Sequence, residues 1–343
     1  MFNHEFWSRV NKLKMKFRTE IALKPSNHNF SHKSETMLVG SCFAESIGEK
    51  LAYFKFPLLV NPCGILFNPV SIRNAFQFIY EKKIFTEDDL VFHDGLWHSF
   101  FHHGSFSNAN KTLCLETINQ SISEAHDWLI ETKTVIITLG TSYVWEHKSG
   151  IIVSNCHKIP STEFIHYKLS VEQVEQALQS IIGNIKSLNQ QAKIIFTVSP
   201  IRYLNHGAHQ SQLSKATLLL AVEKILQIES IPQPPSPWGL EQQLHDFEYF
   251  PSYEIMMDDL RDYRYYADDM IHPSTQAVEY IWSKFAETYF DDETIDINKK
   301  IEAYQRAMTH RMLNPESKTG QKFIDHILDL RNNLSKNYPF LKL

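Results

Sequence analysis

The sequence lacks any long hydrophobic run, and this absence argues against two classes of protein. No stretch of 18 consecutive apolar residues occurs in the 343-residue chain, so we expect no membrane-spanning helix. The opening segment, MFNHEFWSRVNKLKMKFRTEIALK, carries charges throughout and has no apolar core of about 7–15 residues, unlike a secretory signal. We therefore expect a cytoplasmic protein.

Closely spaced cysteines and a large excess of one charge are also absent. The four cysteines are far apart in the chain: Cys42, Cys63, Cys114 and Cys156. They form no CxxC pair, which argues against a disulfide framework or a zinc knuckle. The histidines between residues 93 and 103 lack the spacing of a helical HxxxH site, so we expect no metal and no cofactor. A formal charge of -5 provides no basic surface for nucleic acid.

What the sequence does contain is a globular composition and an alternation of strands and helices. Apolar residues make up 43% of the chain and charged residues 21%, which is typical of a folded domain. Apolar runs that fit buried strands lie at 36–41, 134–140 and 192–200. Helical patterns lie at 43–54, 68–83, 114–131, 174–185, 214–228 and 274–290. The alternation predicts an α/β fold with a mostly parallel sheet covered on both faces.

Four segments fall outside this alternation. Residues 84–111 are aromatic and His-rich without clear periodicity, and we interpret them as an insertion. Residues 142–147 and 150–155 are predicted to pair as a hairpin around a Lys-Ser-Gly turn. Residues 231–239 are predicted to be a Pro-rich surface loop, and the chain beyond 291 contains two charged helical patterns.

A serine and a cysteine stand side by side in ETMLVGSCFAESIGEK, where the first predicted strand meets a helix. Ser41 is either a helix cap or a nucleophile, and Cys42 is either a packed thiol or a cysteine nucleophile activated by the helix N-terminus. Asp269 and His272, spaced i, i+3 in YYADDMIHPS, can place a carboxylate against an imidazole ring. With Ser41 they supply a nucleophile, a base and an orienting group.

The segment GSCFAESIG resembles the signature of the GSCFA family, a branch of the SGNH (GDSL-like) hydrolase superfamily. Further blocks resemble that family in the same order: NPCGILFNPVSI, WHSFFHHGSFS, ITLGTSYVW, NCHKIP, TVSPIR and DDMIHPS. The resemblance implies a three-layer α/β/α, flavodoxin-like SGNH-hydrolase fold. We expect an N-terminal extension over 1–17, the hydrolase domain over 18–290, and a helical tail over 291–343 packed on that domain.

The resemblance also implies ester hydrolysis or acyl transfer by a Ser-His-Asp set. Ser41 matches the family's nucleophile, His272 its general base and Asp269 the residue that orients the base. Gly64 in NPCGILFNP matches the glycine whose backbone N–H joins that of Ser41 in the oxyanion hole.

The third block departs from the superfamily pattern. Gly140-Thr141-Ser142 stands where the superfamily has Gly-x-Asn, so Ser142 replaces the usual amide donor. Because loss of one oxyanion donor costs about 10²–10³ in rate, we expect a substitute. Our order of candidates is the amide of Asn155, then the hydroxyl of Thr141, then that of Ser142. Tyr203 in SPIRY is a second departure, at a position that we associate with histidine in the family.

Three further residues are candidates for substrate contact. His102 belongs to the His-rich insertion, and His157 lies in the NCHKIP block, where it either contacts substrate or supports a residue that does. Arg202 follows a strand end and is either an anion-binding group or half of a surface salt bridge.

The predicted function is a serine-dependent acyl-ester hydrolase that acts on a small ester or an acylated carbohydrate. The alternatives are an acyltransferase of the same fold, a catalytically weak binding or scaffold protein, and thiol chemistry at Cys42. The sequence contains no internal repeat and does not indicate an oligomeric state.

Overall fold

The computed structural model describes residues 18–27, 30–230, 246–312 and 314–343. The predicted N-terminal extension and Pro-rich loop lie outside these ranges. The strands are β1 (Thr36–Gly40), β2 (Leu58–Val60), β3 (Val91–His93), β4 (Leu96–His98), β5 (Thr134–Leu139), β6 (Tyr143–His147), β7 (Ile152–Val153), β8 (Phe164–Lys168), β9 (Lys193–Val198) and β10 (Phe247–Phe250). The long helices are α1 (Cys42–Tyr53), α2 (Pro69–Glu81), α3 (Lys111–Glu131), α4 (Val171–Leu188), α5 (Gly207–Ser230), α6 (Thr275–Tyr289), α7 (Asp292–Thr309) and α8 (Lys318–Asn337).

Five parallel strands form the central sheet in the order β2-β1-β5-β9-β10. Numbered within this sheet, the order is 2-1-3-4-5, which is the flavodoxin-like doubly wound arrangement. The strand order reverses between β1 and β5: β2 is added on one side of β1, and the later strands are added on the other. Such switch points open a crevice beyond the strand ends. The predicted flavodoxin-like α/β fold is therefore confirmed.

Side chains alternate between the two faces of the sheet and thereby build two cores. Met37 and Val39 of β1 belong to a cluster that includes buried residues of α2, α3, α4 and α5. Leu38 belongs to the opposite cluster, with Phe43 of α1 and Phe285 of α6. Because neighbouring residues of a strand point to opposite faces, an uninterrupted apolar run such as TMLVG is what a sheet covered on both sides requires.

Two smaller sheets lie outside the central one. The insertion contains the β3-β4 hairpin, whose turn residues Asp94 and Gly95 have φ of 48° and 79°. The predicted hairpin of β6 and β7 is present, and β8 adds a third strand on the other side of β6. Strands β2 and β10 were not expected from the sequence, because three or four residues are too few to establish a periodicity.

The tail contains both helices that the sequence predicts. α7 and α8 pack around Ile297, Ile301 and Leu334, and Phe54 at the end of α1 packs against the same cluster. The domain boundaries themselves stay a prediction. None of the helices in the described ranges is long and apolar enough to cross a bilayer.

Candidate active site

Ser41 lies directly after β1, at the switch point of the sheet. Gly40 permits the close approach of β1 and β5 there, because its φ is +147° and a Cβ would lie 2.2 Å from the carbonyl oxygen of Thr138. Ser41 is 1% exposed and precedes α1 in the cap position, yet its hydroxyl makes no capping bond. In the described part of the chain this hydroxyl has no hydrogen-bond partner, so it is available to a ligand.

The Asp269 carboxylate holds the His272 ring. Its Oδ2 lies 2.5 Å from Nδ1 of His272, while its Oδ1 accepts the backbone N–H groups of Ile271 and His272 at 2.9 Å each. The bond from the backbone N–H of His272 is the main cause that lowers the pKa of Asp269 to about 2, followed by the bond from Ile271 and that from the ring. The carboxylate therefore stays ionised at neutral pH and fixes one ring nitrogen as the donor.

The loop that carries this pair is short and internally bonded. Tyr266 and Pro273 form an isolated bridge, and the N–H of Ala267 donates to the carbonyl of His272 at 2.8 Å. The hydroxyl of Ser274 then caps α6. Although the His272 side chain is 49% exposed, its backbone is held on both sides.

A cavity of about 530 Å³ joins the two halves of the predicted catalytic set. Ser41 and His272 both line it. The remaining lining residues come from the strand ends, the insertion and the small β6-β8 sheet: Cys42, Phe67, Asn68, His103, Gly140, Thr141, Tyr143, Trp145, Val153, Ser154, Asn155, Cys156, His166, Ser199, Ile201, Tyr203, Leu204, Asn205 and Ile271. The volume suits a small-molecule ligand rather than a polymer chain.

Stacked rings form one wall of this cavity. His166 of β8 stacks on Trp145 of β6 with centroids 4.0 Å apart, and Tyr143 stacks on His166 at 5.1 Å. Tyr203, the departure noted in SPIRY, also lines the cavity and is 38% exposed. The strand alternation of the antiparallel sheet brings Tyr143 and Trp145 to the same face.

The structure distinguishes among the three candidates for the third oxyanion donor. Ser142 is fully buried, does not line the cavity, and donates its hydroxyl to Ser214, so its candidacy is wrong. Asn155 does line the cavity; its Oδ1 accepts the N–H of His157 at 2.8 Å, which leaves the amide N–H groups for a ligand. Thr141 lines the cavity as well.

The two backbone donors expected from the resemblance are engaged elsewhere. The N–H of Ser41 donates to the carbonyl of Thr138 at 3.1 Å, and the N–H of Gly64 donates to that of Asn61 at 2.7 Å. Gly64 does not line the cavity; a Cβ on it would lie 2.2 Å from Cβ of His103, which does. Each of these N–H groups therefore already has a protein acceptor, and a role for either one in an oxyanion hole stays a prediction.

The three predicted substrate contacts lie outside the cavity lining. His102 is fully buried, and burial lowers its pKa to about 3. His157 is buried and donates from its ring Nε2 to the carbonyl of Ser99, 2.8 Å away; burial lowers its pKa to about 4. Arg202 is absent from the lining, while its neighbours Ile201 and Tyr203 are present. The structure instead brings His103 and His166 to the cavity.

Cys42 is half-buried and lines the cavity, so it is not fully packed in the core. Burial is the main cause that raises its pKa, although the backbone N–H groups of the first helical turn oppose this. A raised pKa disfavours the thiolate that cysteine chemistry needs. Cys156, also in the lining, has its pKa raised to about 11 by burial.

Two residues of α5 that were not predicted from the sequence form hydrogen bonds to the backbone around the cavity. Ser214 bonds to the Gly140–Ser142 turn, and Lys215, only 2% exposed, donates to the carbonyls of Gly140 and Ser199. The signal was present in the sequence, because Lys215 lies three residues before Leu218 on the apolar stripe of this helix. A lysine at a buried helical position requires polar partners.

Comparison with known proteins identifies the family of this chain. The sequence model of the GSCFA family matches residues 35–285. No curated protein matches the chain. An acetyl esterase mutant with an acetate ion is similar in structure at 9% identity, 78% coverage of this chain, 99% coverage of its own and a TM-score of 0.35. A carbohydrate esterase family 3 protein from Talaromyces cellulolyticus has 9% identity, coverages of 78% and 98%, and a TM-score of 0.35. The fold assignment rests on the strand order rather than on these low TM-scores.

Proposed function

The chain belongs to the GSCFA family, and we propose that it is a serine-dependent acyl-ester hydrolase. The observation that carries this proposal is a buried Ser41 hydroxyl without a partner, in the same cavity as a His272 ring bonded to Asp269. A free hydroxyl, a base and a group that orients the base are the elements of nucleophilic acyl transfer. No group of three or more His, Cys, Asp or Glu side chains within the described ranges is arranged to hold a metal.

In the proposed reaction, Oγ of Ser41 attacks the acyl carbonyl carbon while Nε2 of His272 takes the hydroxyl proton. Asp269 stabilises the imidazolium and keeps Nδ1 protonated. The tetrahedral intermediate then collapses, the bond to the alcohol oxygen breaks, and His272 returns the proton to the leaving alcohol. Water attacks the acyl-Ser41 ester by the same path and releases the acid.

The developing oxyanion lies at the positive end of α1, where the first turn of a helix carries partial positive charge. The amide of Asn155 is the side-chain donor that we assign to this oxyanion, because its oxygen already accepts from His157. Asn155 lies just after the end of β7. In this proposal its amide takes the place of the superfamily's asparagine, which is Ser142 in this chain.

For the substrate we propose a small acyl ester, with an acylated carbohydrate as the preferred class. The cavity volume of about 530 Å³ accommodates a group of that size. Its wall offers the rings of Tyr143, Trp145 and His166, whose electron-rich faces attract the C–H groups of a sugar ring. Asn205 supplies an amide for its hydroxyl groups.

The test is pre-steady-state hydrolysis of p-nitrophenyl acetate. We expect a burst of p-nitrophenol of about one equivalent, followed by a slower steady rate. Ser41→Ala should lose both phases, whereas Ser46→Ala, on the same helix, should keep them. Equal turnover by wild type and Ser41→Ala would exclude the proposal, and absence of turnover in both would favour a binding protein.

A further inference from the structure

The Ser214 hydroxyl has every hydrogen-bonding position filled by the Gly140–Ser142 turn. It accepts the N–H of Ser142 at 2.9 Å and the hydroxyl of Ser142 at 3.1 Å. Its third contact is the Thr141 hydroxyl, with the two oxygens 3.0 Å apart. A hydroxyl accepts two hydrogen bonds and donates one, so Ser214 must donate to Thr141.

The same accounting fixes the direction of the Thr141 hydroxyl. Its Oγ1 accepts the proton of Ser214 and also the N–H of Tyr143, which lies 3.1 Å away. Both lone pairs are therefore occupied, and its own O–H is left as a donor. Thr141 lines the same cavity as Ser41, so this donor is available to a ligand there.

The sheet places Thr141 beyond the same edge as Ser41. Gly40, immediately before Ser41, pairs in register with Thr138, and Thr141 lies three residues farther along the same chain direction. The turn is held in this position because the N–H groups of Gly140 and Thr141 both donate to the carbonyl of Phe67, at 2.8 and 2.9 Å.

Lys215 forms a further hydrogen bond to the same turn. Its Nζ donates to the carbonyl of Gly140 at 2.7 Å and to that of Ser199 at 2.8 Å, which ties the ends of β5 and β9 together. The groups that face this ammonium are the Cys42 thiol, the Glu254 carboxylate and the Tyr253 ring, 5.5 Å away. Burial of a lysine side chain is costly, and its two hydrogen bonds to backbone carbonyls offset part of that cost while they hold the turn.

We propose that Thr141 is an oxyanion-hole donor, and that Ser214 and Lys215 are the positioning residues that keep its hydroxyl aimed into the cavity. This assignment rests on the proposed ester hydrolysis. It also explains how the chain does without an asparagine at position 142: a hydroxyl one residue earlier is forced to be a donor by its own neighbours. Thr141 acts together with Asn155, which approaches from β7.

The first experiment compares steady-state hydrolysis of p-nitrophenyl acetate by Thr141→Val, Thr141→Ser and wild type. Valine keeps the shape and removes the donor, so we expect kcat to fall about 10²-fold with KM within about threefold. Serine restores the hydroxyl, so we expect kcat within about tenfold of wild type. A kcat for Thr141→Val within threefold of wild type would overturn the assignment.

The second experiment tests the positioning role. Ser214→Ala should lower kcat about tenfold and Ser214→Thr should restore it, whereas Thr217→Ala, whose hydroxyl bonds only to its own helix, should leave kcat unchanged. A merely structural role would lower Tm for Ser214→Ala with kcat intact, and that result would overturn the proposal. Absence of Ser41-dependent turnover in wild type would instead defeat the proposed function, and this assignment with it.

Discussion

The proposed nucleophile, Ser41, and its proposed base, His272, occupy opposite physical environments. Ser41 ends a strand at the centre of the sheet and is 1% exposed, whereas the His272 side chain is 49% exposed on a surface loop. Ser41 is positioned by the core, through Gly40 and the pairing of β1 with β5. His272 is positioned locally, by Asp269 and a few backbone bonds. Substitutions around the serine should therefore disturb folding, while those around the histidine should disturb only catalysis.

The largest expected effect is that of Ser41→Ala. Removal of the nucleophile should lower kcat/KM for p-nitrophenyl acetate by at least about 10³-fold, because residual turnover then comes from binding and the oxyanion hole alone. Cys42→Ala provides the matched comparison one residue away, and it should keep kcat/KM within about tenfold of wild type. If Cys42→Ala were instead the inactive variant, the chemistry would belong to the thiol.

Asp269→Asn should rank second, with kcat/KM lowered by about 10²–10⁴-fold. The amide cannot stabilise an imidazolium, although it keeps the shape of the loop. Asp268→Asn alters the neighbouring carboxyl instead of the one bonded to the ring, and it should change kcat/KM less than threefold. The Tm of Asp269→Asn should stay within a few degrees of wild type. A large loss of Tm with unchanged kcat/KM would show that the pair serves the fold instead.

For Gly40→Ala we expect the opposite pattern to Asp269→Asn: a large loss of stability rather than a specific loss of activity. A Cβ 2.2 Å from the carbonyl oxygen of Thr138, at a φ of +147°, should cost about 3 kcal/mol or more in the free energy of unfolding. Gly183→Ala is the control, since nothing lies within 4 Å of its added Cβ in the middle of α4. It should be neutral or stabilising by about 1 kcal/mol in urea unfolding.

Asn155→Asp should lower kcat by about 10–10²-fold with little change in stability. The carboxylate retains an oxygen for the N–H of His157 but removes the donor and adds negative charge near the oxyanion. Asn110→Asp is the matched control, because Oδ1 of Asn110 likewise accepts a local N–H, that of Leu113. Asn110 caps α3 and does not line the cavity. Equal kcat values for the two variants would contradict the assignment of Asn155 as an oxyanion donor.

The last expected effect concerns Lys215 and the pH dependence of stability rather than the reaction rate. Burial lowers its pKa to about 7, below the value of 10.5 in an unfolded chain. Between these values the unfolded state binds more protons, so the free energy of unfolding should rise as pH increases from 7 towards 10. Lys215→Met should flatten this rise, and Lys224→Met, an exposed lysine on the same helix, should preserve it. Identical slopes in urea titrations of wild type and Lys215→Met would contradict the lowered pKa.

The sequence predicted the features that depend on neighbours in the chain. Buried strands β1, β5 and β9, and the spacing of Asp269 and His272, are local patterns, so they could be recognised before the fold was known. The hydrogen bond between Thr141 and Ser214 joins residues 73 positions apart, and it depends on how α5 packs against β9 and β10. Likewise, only the folded chain shows that the N–H of Gly64 is already bonded to Asn61, or that His103 and not His102 reaches the cavity.

The central claim is that Ser41 is a nucleophile in a cavity that it shares with His272. The most direct measurement is intact-protein and peptide mass spectrometry after reaction with a fluorophosphonate, performed on wild type, Ser41→Ala and Cys42→Ala. We expect a single phosphonyl adduct on Ser41 in wild type and Cys42→Ala, and none in Ser41→Ala. An unlabelled wild-type protein, or an adduct on another residue that persists in Ser41→Ala, would contradict the claim.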